Sequence, residues 1–210
     1  IVWGDMLVLI YARDVLSREK GVEVIGDVKC SNRLFEGIAE AGGKPVMWKT
    51  GHSLIKNKMK TDGAALAGEM SGHVFFADKF FGYDDALYAA LRLLEIISST
   101  GKTIPQLLEG VPPAVSTPEI RVDCPETIKF PVVELVKEKL GKEYKVIDID
   151  GARIEFPDGW GLIRASNTQP ALVLRFEARS EKRMAEIRSI IETTLSSAMK
   201  ELSQAGLERM

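Results

Sequence analysis

The sequence is poor in the residues that build metal centres and disulfide frameworks. It has two histidines and two cysteines in 210 residues. Cys30 and Cys124 lack metal-ligand spacing and read as the reduced thiols of a cytosolic protein. No apolar run in these 210 residues approaches the ~20 residues that a bilayer-spanning helix needs. An excess of charge of one sign is missing as well. With 28 Lys and Arg against 30 Asp and Glu, the net charge is −2. That balance excludes a general attraction to nucleic acid or to an anionic membrane. Any anion site must therefore be local. There is no internal repeat and no low-complexity segment. The opening Ile1-Val2-Trp3 has no initiator methionine, no basic stretch and no cleavage site. The expectation is a piece of a longer polypeptide.

What is present is an alternation. After Gly4-Asp5, the spacing of Leu7, Ile10, Tyr11 and Val15 predicts a helix that stops at Gly21. Val22 to Lys29 reads as a strand, Leu34 to Ala41 as a short helix closed by Gly42-Gly43, and Pro45 to Trp48 as a second strand. His52 to Lys60 is predicted helical, Asp62-Gly63 a turn, and Ala64 to Ala67 a third strand. Asp84 is expected to cap a helix whose apolar stripe is Leu87, Leu91 and Leu94. Strands alternating with helices imply an α/β domain with a mixed, largely parallel sheet and helices on both faces.

Gly110-Val111-Pro112-Pro113-Ala114 is a linker signal. It divides the chain into domains of residues 1–111 and 112–210. Beyond it, short strands follow one another: Glu119 to Val122, Tyr144 to Ile149, Ala152 to Phe156, Trp160 to Ala165 and Ala171 to Phe176. A helix at Val132 to Leu140 and a last helix striped by Met184, Ile187, Ile191, Leu195, Ala198 and Leu202 bracket them. This pattern argues a small α+β domain with an antiparallel sheet.

Three strand ends of the first domain carry chemistry. They deliver Lys29, then Thr50-Gly51-His52, then Gly68-Glu69-Met70-Ser71-Gly72-His73. Ligands bind outside the carboxyl ends of strands in open α/β sheets, and parallel strands put all three on one edge. Glu69 can accept from two vicinal hydroxyls, while Ser71 and His73 can donate or accept. A sugar needs that equipment. Taken singly, each element also fits a plainer reading: a solvated strand-end lysine, a helix-start histidine, a polar loop with a capping serine. In the second domain Arg164-Ala165-Ser166-Asn167-Thr168-Gln169-Pro170 joins two strands. An arginine fork with neutral donors beside it suits a phosphate. The alternative is a hairpin loop whose Ser, Asn and Thr bond their own backbone.

Gly68 to His73 and Arg164 to Thr168 together resemble the α-D-phosphohexomutases, in particular the bacterial phosphomannomutase/phosphoglucomutase branch. Asp27-Val28-Lys29-Cys30, Trp48 to Lys56 and Gly159-Trp160-Gly161-Leu162 support the resemblance, which runs the length of the chain. It implies the third, sugar-recognising domain, truncated at its N-terminal side, and the fourth, phosphate-binding domain. It implies that Glu69 and Ser71 hold sugar hydroxyls, with His73 nearby. It implies that Arg164, Ser166, Asn167 and Thr168 grip the phosphate that is not transferred. Lys29 and His52 become candidates for acid/base or phosphate contacts. The reaction implied interconverts hexose 1-phosphate and hexose 6-phosphate through a phosphoserine and a hexose 1,6-bisphosphate, which also serves as activator. Neither the phosphoserine loop nor the Mg²⁺-binding loop of the family is found in this sequence. Both are expected upstream, in the first and second domains of the same polypeptide, so no metal ligand is assigned here. The chain alone is expected to be inactive. A cytoplasmic, monomeric parent is the further expectation, with hexose phosphates as its ligands. A phosphoglucosamine mutase is the sister reading, disfavoured by Met70 where those members usually carry Gln. A non-catalytic sugar-phosphate-binding protein is the other.

Overall fold

The computed structural model describes residues 1–207, with side chains through residue 204. The chain divides into two units, one ending at Pro112 and one starting at Pro113. Residues 208–210 of the second expected domain lie outside the described residues.

The first unit runs α1 (Gly4–Arg18), β1 (Glu23–Asp27), α2 (Asn32–Glu40), β2 (Lys44–Trp48), α3 (His52–Asp62), β3 (Leu66–Gly68), β4 (Val74–Phe76), α4 (Ala86–Thr100) and α5 (Ile104–Leu107). Its sheet has the order β2-β1-β3-β4. β1 is parallel to β2 and β3, and β4 closes the edge antiparallel to β3. Side chains alternate across a strand, and the two cores follow that period. Val24, Leu66 and Phe76 pack with α1, α2 and α4. Ile25, Ala67 and Phe75 pack with Ile55 and Met59 of α3. The sheet is therefore covered on both faces. Local signals set the helix ends: the Ser31 hydroxyl accepts from the Arg33 N–H ahead of α2, and Gly63 closes α3 in the left-handed region, with φ of 73°.

Helix α4 departs from expectation twice. Its cap is Asp85, whose carboxylate accepts from the Tyr88 N–H; Asp84 is used elsewhere. Its leucine stripe also points outward, with Leu87, Leu91 and Leu94 at 80%, 65% and 61% exposed. The inward face carries Ala89, Arg92 and Ile96. A buried cation displaces the leucines because its partners are in place. The Arg92 guanidinium reaches Asp78 at 2.8 Å and Asp14 at 3.1 Å, and lies over the Phe76 ring. Arg18 bonds the same two carboxylates at 2.7 and 2.6 Å. Burial pushes the Asp78 carboxyl up, but the Arg92 hydrogen bond and the charges of Arg18 and Arg92 outweigh it and hold its pKa below the ordinary value.

The second unit runs β5 (Val115–Ser116), β6 (Ile120–Asp123), α6 (Lys129–Leu140), β7 (Lys145–Ile147), β8 (Ala152–Phe156), β9 (Gly159–Ala165), β10 (Ala171–Ala178) and α7 (Glu181–Leu207). The sheet order is β5-β10-β9-β8-β7, with β6 also paired to β10, and every pairing is antiparallel. Ile163, Leu172, Leu174 and Phe176 meet Val132 and Val136 of α6 and Ile187, Ile191, Leu195 and Ala198 of α7 in one core. The register Val173↔Arg164 and Leu172↔Ala165 sends Arg164 to the face opposite Ala165, away from that core.

Candidate functional site

The parallel strands β1, β2 and β3 end side by side, and one buried carboxylate ties their loops together. Asp27, the last residue of β1, is fully buried. Its Oδ1 accepts from the Met70 N–H at 3.3 Å and the Cys30 thiol at 3.0 Å. Its Oδ2 accepts from the Thr50 hydroxyl at 3.0 Å and lies 3.8 Å from Lys29 Nζ. One side chain thus binds the loops after all three strands. Burial lifts the Asp27 carboxyl above its ordinary pKa, against the charge of Lys29 and the bonds from Cys30 and Met70. In the sequence Asp27 entered only within the stretch Asp27-Val28-Lys29-Cys30 and was not singled out as a site residue. The signal was a carboxylate closing an apolar strand directly before Val28-Lys29.

Glu69 is also buried and its two oxygens serve two loops. Oε1 accepts from the Gly51 N–H at 2.8 Å, and Oε2 from the Ser71 hydroxyl at 3.0 Å. An ionised carboxylate offers about four acceptor positions, so each oxygen retains capacity for one hydroxyl of a ligand. The turn that presents it is closed by Glu69 N–H to His73 C=O at 2.9 Å and Gly72 N–H to Glu69 C=O at 3.0 Å. Gly72 takes φ of 105° there, a region few other residues enter. The start of α1 is docked against the same turn. The Gly4 N–H donates to Met70 C=O at 3.2 Å, and a Cβ at Gly4 would lie 2.5 Å from the Glu69 carbonyl oxygen.

Both histidines are exposed at this edge, with ring centroids 6.4 Å apart. His52 opens α3 directly after Gly51. His73 Nδ1 lies 2.6 Å from Asp84 Oδ2. A carboxylate there favours the Nδ1–H tautomer, which leaves the lone pair of the neutral ring on Nε2, able to take a proton from a hydroxyl. The structure therefore brings Lys29, His52, Glu69, Ser71 and His73 to one edge of one sheet. Asp27 ties together the loops that carry them and Asp84 engages His73; neither was a site candidate in the sequence, where Asp84 read as a helix cap.

The loop between β9 and β10 holds the other four candidates. Arg164 Nε donates to Asp150 Oδ2 at 2.7 Å, which fixes the plane of the guanidinium. Ser166 is buried, and its Oγ accepts from the N–H groups of Thr168 and Gln169 at 3.3 and 3.2 Å. It therefore staples its own turn, as the plainer reading of this loop anticipated, and its hydroxyl proton adds a donor. Asn167 and Thr168 are exposed at the tip. Arg164, Ser166, Asn167 and Thr168 are thus gathered in one short turn with a fixed cation at its base.

Among the described residues no group of three or more His, Cys, Asp or Glu side chains is placed to hold a metal ion. Nor is any described helix long and apolar enough to cross a membrane.

Comparison with known proteins agrees with both units. Residues 3–115 match the family model described as phosphoglucomutase/phosphomannomutase, alpha/beta/alpha domain III, and residues 119–193 match the model of the same family's C-terminal domain. Folds and loops together define a class: these are two domains of phosphohexomutase type. The chain is 48% identical over 203 residues to a phosphomannomutase/phosphoglucomutase of Pseudomonas syringae, covering 96% of this chain and 44% of that protein. It is 46% identical to a phosphoglucomutase of Neisseria gonorrhoeae, covering 94% and 43%. A crystal structure of a phosphoglucomutase/phosphomannomutase family protein from Burkholderia thailandensis superimposes with a TM-score of 0.85 at 45% identity, covering 94% of this chain and 42% of that one. The chain belongs to the phosphoglucomutase/phosphomannomutase family. It spans less than half the length of these relatives.

Proposed function

We propose that this chain supplies sugar and phosphate recognition to an enzyme that interconverts hexose 1-phosphate and hexose 6-phosphate, with mannose and glucose as the sugars. The observation that carries the reading is Glu69. A buried carboxylate held by Gly51 and Ser71 presents rigid acceptors at a strand-end edge, and a polyol is what such acceptors suit. The Arg164 loop supports the second half of the reading, as a cation with neutral donors suits a phosphate. In this reading Glu69 and Ser71 hold vicinal ring hydroxyls. His73, its Nδ1 engaged by Asp84, holds or takes a hydroxyl proton at Nε2. Lys29 supplies positive charge, with His52 beside it, and Arg164, Ser166, Asn167 and Thr168 bind the phosphate distal to the reacting carbon. Such recognition serves a mutase because it tolerates two poses of one sugar phosphate: Glu69 can accept from equivalent hydroxyls in either pose.

Phosphoserine chemistry, activation by hexose 1,6-bisphosphate, a cytoplasmic location and a monomeric state belong to the same proposal for the parent protein. Mg²⁺ enters it only as an ion held by another part of the polypeptide. The test is turnover of mannose, glucose and glucosamine 1-phosphates by the full-length parent, with Mg²⁺ and a trace of bisphosphate. Comparable turnover of the mannose and glucose substrates is expected. A preference for glucosamine phosphate would overturn the sugar assignment, and no turnover of any would overturn the enzyme. Arg164→Ala is expected to weaken phosphate binding at least tenfold with the fold retained.

A further inference from the structure

We propose that Lys129 is a positioning residue for the phosphate loop, holding the turn at residues 164–170 in its anion-binding form; the inference rests on the phosphate reading of that loop. Lys129 opens α6 and is 1% exposed. Its Nζ donates to the Ser166 carbonyl at 2.6 Å and the Gln169 carbonyl at 3.2 Å. Its third contact is Glu126 Oε1 at 2.7 Å. An ammonium has three donors and no acceptor, so these contacts complete it.

Two of those partners are the carbonyls that bracket Asn167-Thr168. A carbonyl oxygen carries partial negative charge, and one turned toward a phosphate opposes its binding. Lys129 draws two such oxygens inward from beneath the loop. Ser166 acts in concert, since its Oγ gathers the Thr168 and Gln169 N–H groups while its carbonyl is held by the ammonium. The clamp thus sets which backbone groups the loop offers outward.

Packing alone does not explain the residue. Lys129 lies in register with the buried stripe Val132, Val133, Val136 and Leu140 of α6. A methionine or leucine would fill that place without the cost of removing an ammonium from water. The charge is therefore retained for what it bonds, and what it bonds is the loop.

The experiment compares the chain with its Lys129→Met and Lys129→Arg variants by amide hydrogen exchange and by ¹⁵N-detected titration with inorganic phosphate. In Lys129→Met the amides of Ser166, Thr168, Gln169 and Ala171 are expected to exchange at least tenfold faster. Phosphate affinity is expected to fall about tenfold, while β8 and the middle of β10 keep their protection. Lys129→Arg is expected to recover most of both. Unchanged loop exchange, unchanged phosphate affinity, or an even loss of protection across the unit would overturn the proposal. If Lys129→Met does not fold, the wild-type Lys129 Nζ resonance decides. It is expected to be slowly exchanging and to shift on phosphate addition, and a fast-exchanging, unresponsive ammonium would overturn the inference. Wild-type loop amides that ignore phosphate would instead refute the phosphate reading, with the exchange data still judging the clamp.

Discussion

Glu69 separates two jobs that one side chain performs, holding the loops and, in the proposed reading, facing the ligand. Glu69→Ala removes the acceptor of both the Gly51 N–H and the Ser71 hydroxyl. Hydrogen bonds to a charged group contribute roughly 1.5–3 kcal/mol each, and a bond that water can replace contributes less. Glu69 is buried, so its bond to half-buried Gly51 takes the charged-group range, and its bond to exposed Ser71 only about 0.5–1 kcal/mol. The sum is a loss of about 2–4 kcal/mol from the first unit. Glu69→Gln behaves differently. Its carbonyl oxygen still accepts from Gly51, and its amide donates to Ser71, whose hydroxyl turns to accept. It should cost less than about 1 kcal/mol. A ligand hydroxyl now meets an amide hydrogen where it met an acceptor, so sugar discrimination should suffer more than phosphate binding. Urea unfolding followed by amide resonances of Phe75 and Leu174 reads the two units separately. Glu69→Ala within 1 kcal/mol of wild type, or Glu69→Gln as damaging as Glu69→Ala, would refute the two-bond reasoning.

Three further outcomes follow from the same geometry. Burial raises the Asp27 carboxyl pKa in the folded state, against Lys29 and its hydrogen-bond donors. Its stabilising contribution is therefore complete below the unfolded pKa and is lost as pH rises through the folded value. Relative to Asp27→Asn, the urea midpoint of the first unit should fall as pH increases from about 4, and parallel pH profiles would contradict this. Gly4→Ala places a Cβ 2.5 to 2.7 Å from three backbone atoms of the Glu69–Gly72 turn. It should cost about 1–3 kcal/mol and shift the amides of Met70 to Gly72, whereas unmoved amides would show that α1 does not set the turn. Arg92→Met leaves Asp14 and Asp78 without their buried partner. Arg18 remains on both, so the loss should be near 3 kcal/mol, the low end for breaking a buried pair; a more stable variant by thermal unfolding would overturn that ledger.

Several features were legible in the residue order. Alternating apolar strands and helices implied α/β then α+β units, because periods of 2 and 3.6 are local properties of the chain. The same order put Lys29, His52 and Glu69 at the ends of parallel strands, hence on one edge. The stripe Ile187, Ile191, Leu195 and Ala198 is the buried face of α7, since the periodicity there had no competitor. On α4 the same logic pointed to the wrong face. Leu87, Leu91 and Leu94 are more apolar than Arg92, and nothing local says that Asp14 and Asp78 converge to neutralise that arginine.

The sites divide along the same line. The sequence by itself determined which groups were available: a carboxylate, a hydroxyl and an imidazole in one loop, and a guanidinium, two hydroxyls and two amides in another. Tertiary structure decided which of them hold the scaffold and which loops they tie together. Asp27, distant in sequence from Thr50 and Met70, became the tie between three loops. Asp84 oriented His73 instead of capping a helix, and Ser166 turned its oxygen to its own backbone. Lys129 went beneath the turn at residues 164–170 instead of out to water. Hydrogen bonds and ion pairs act over ångströms between atoms that the chain separates by tens of residues. Their partners exist only once the strands have paired and the helices have docked.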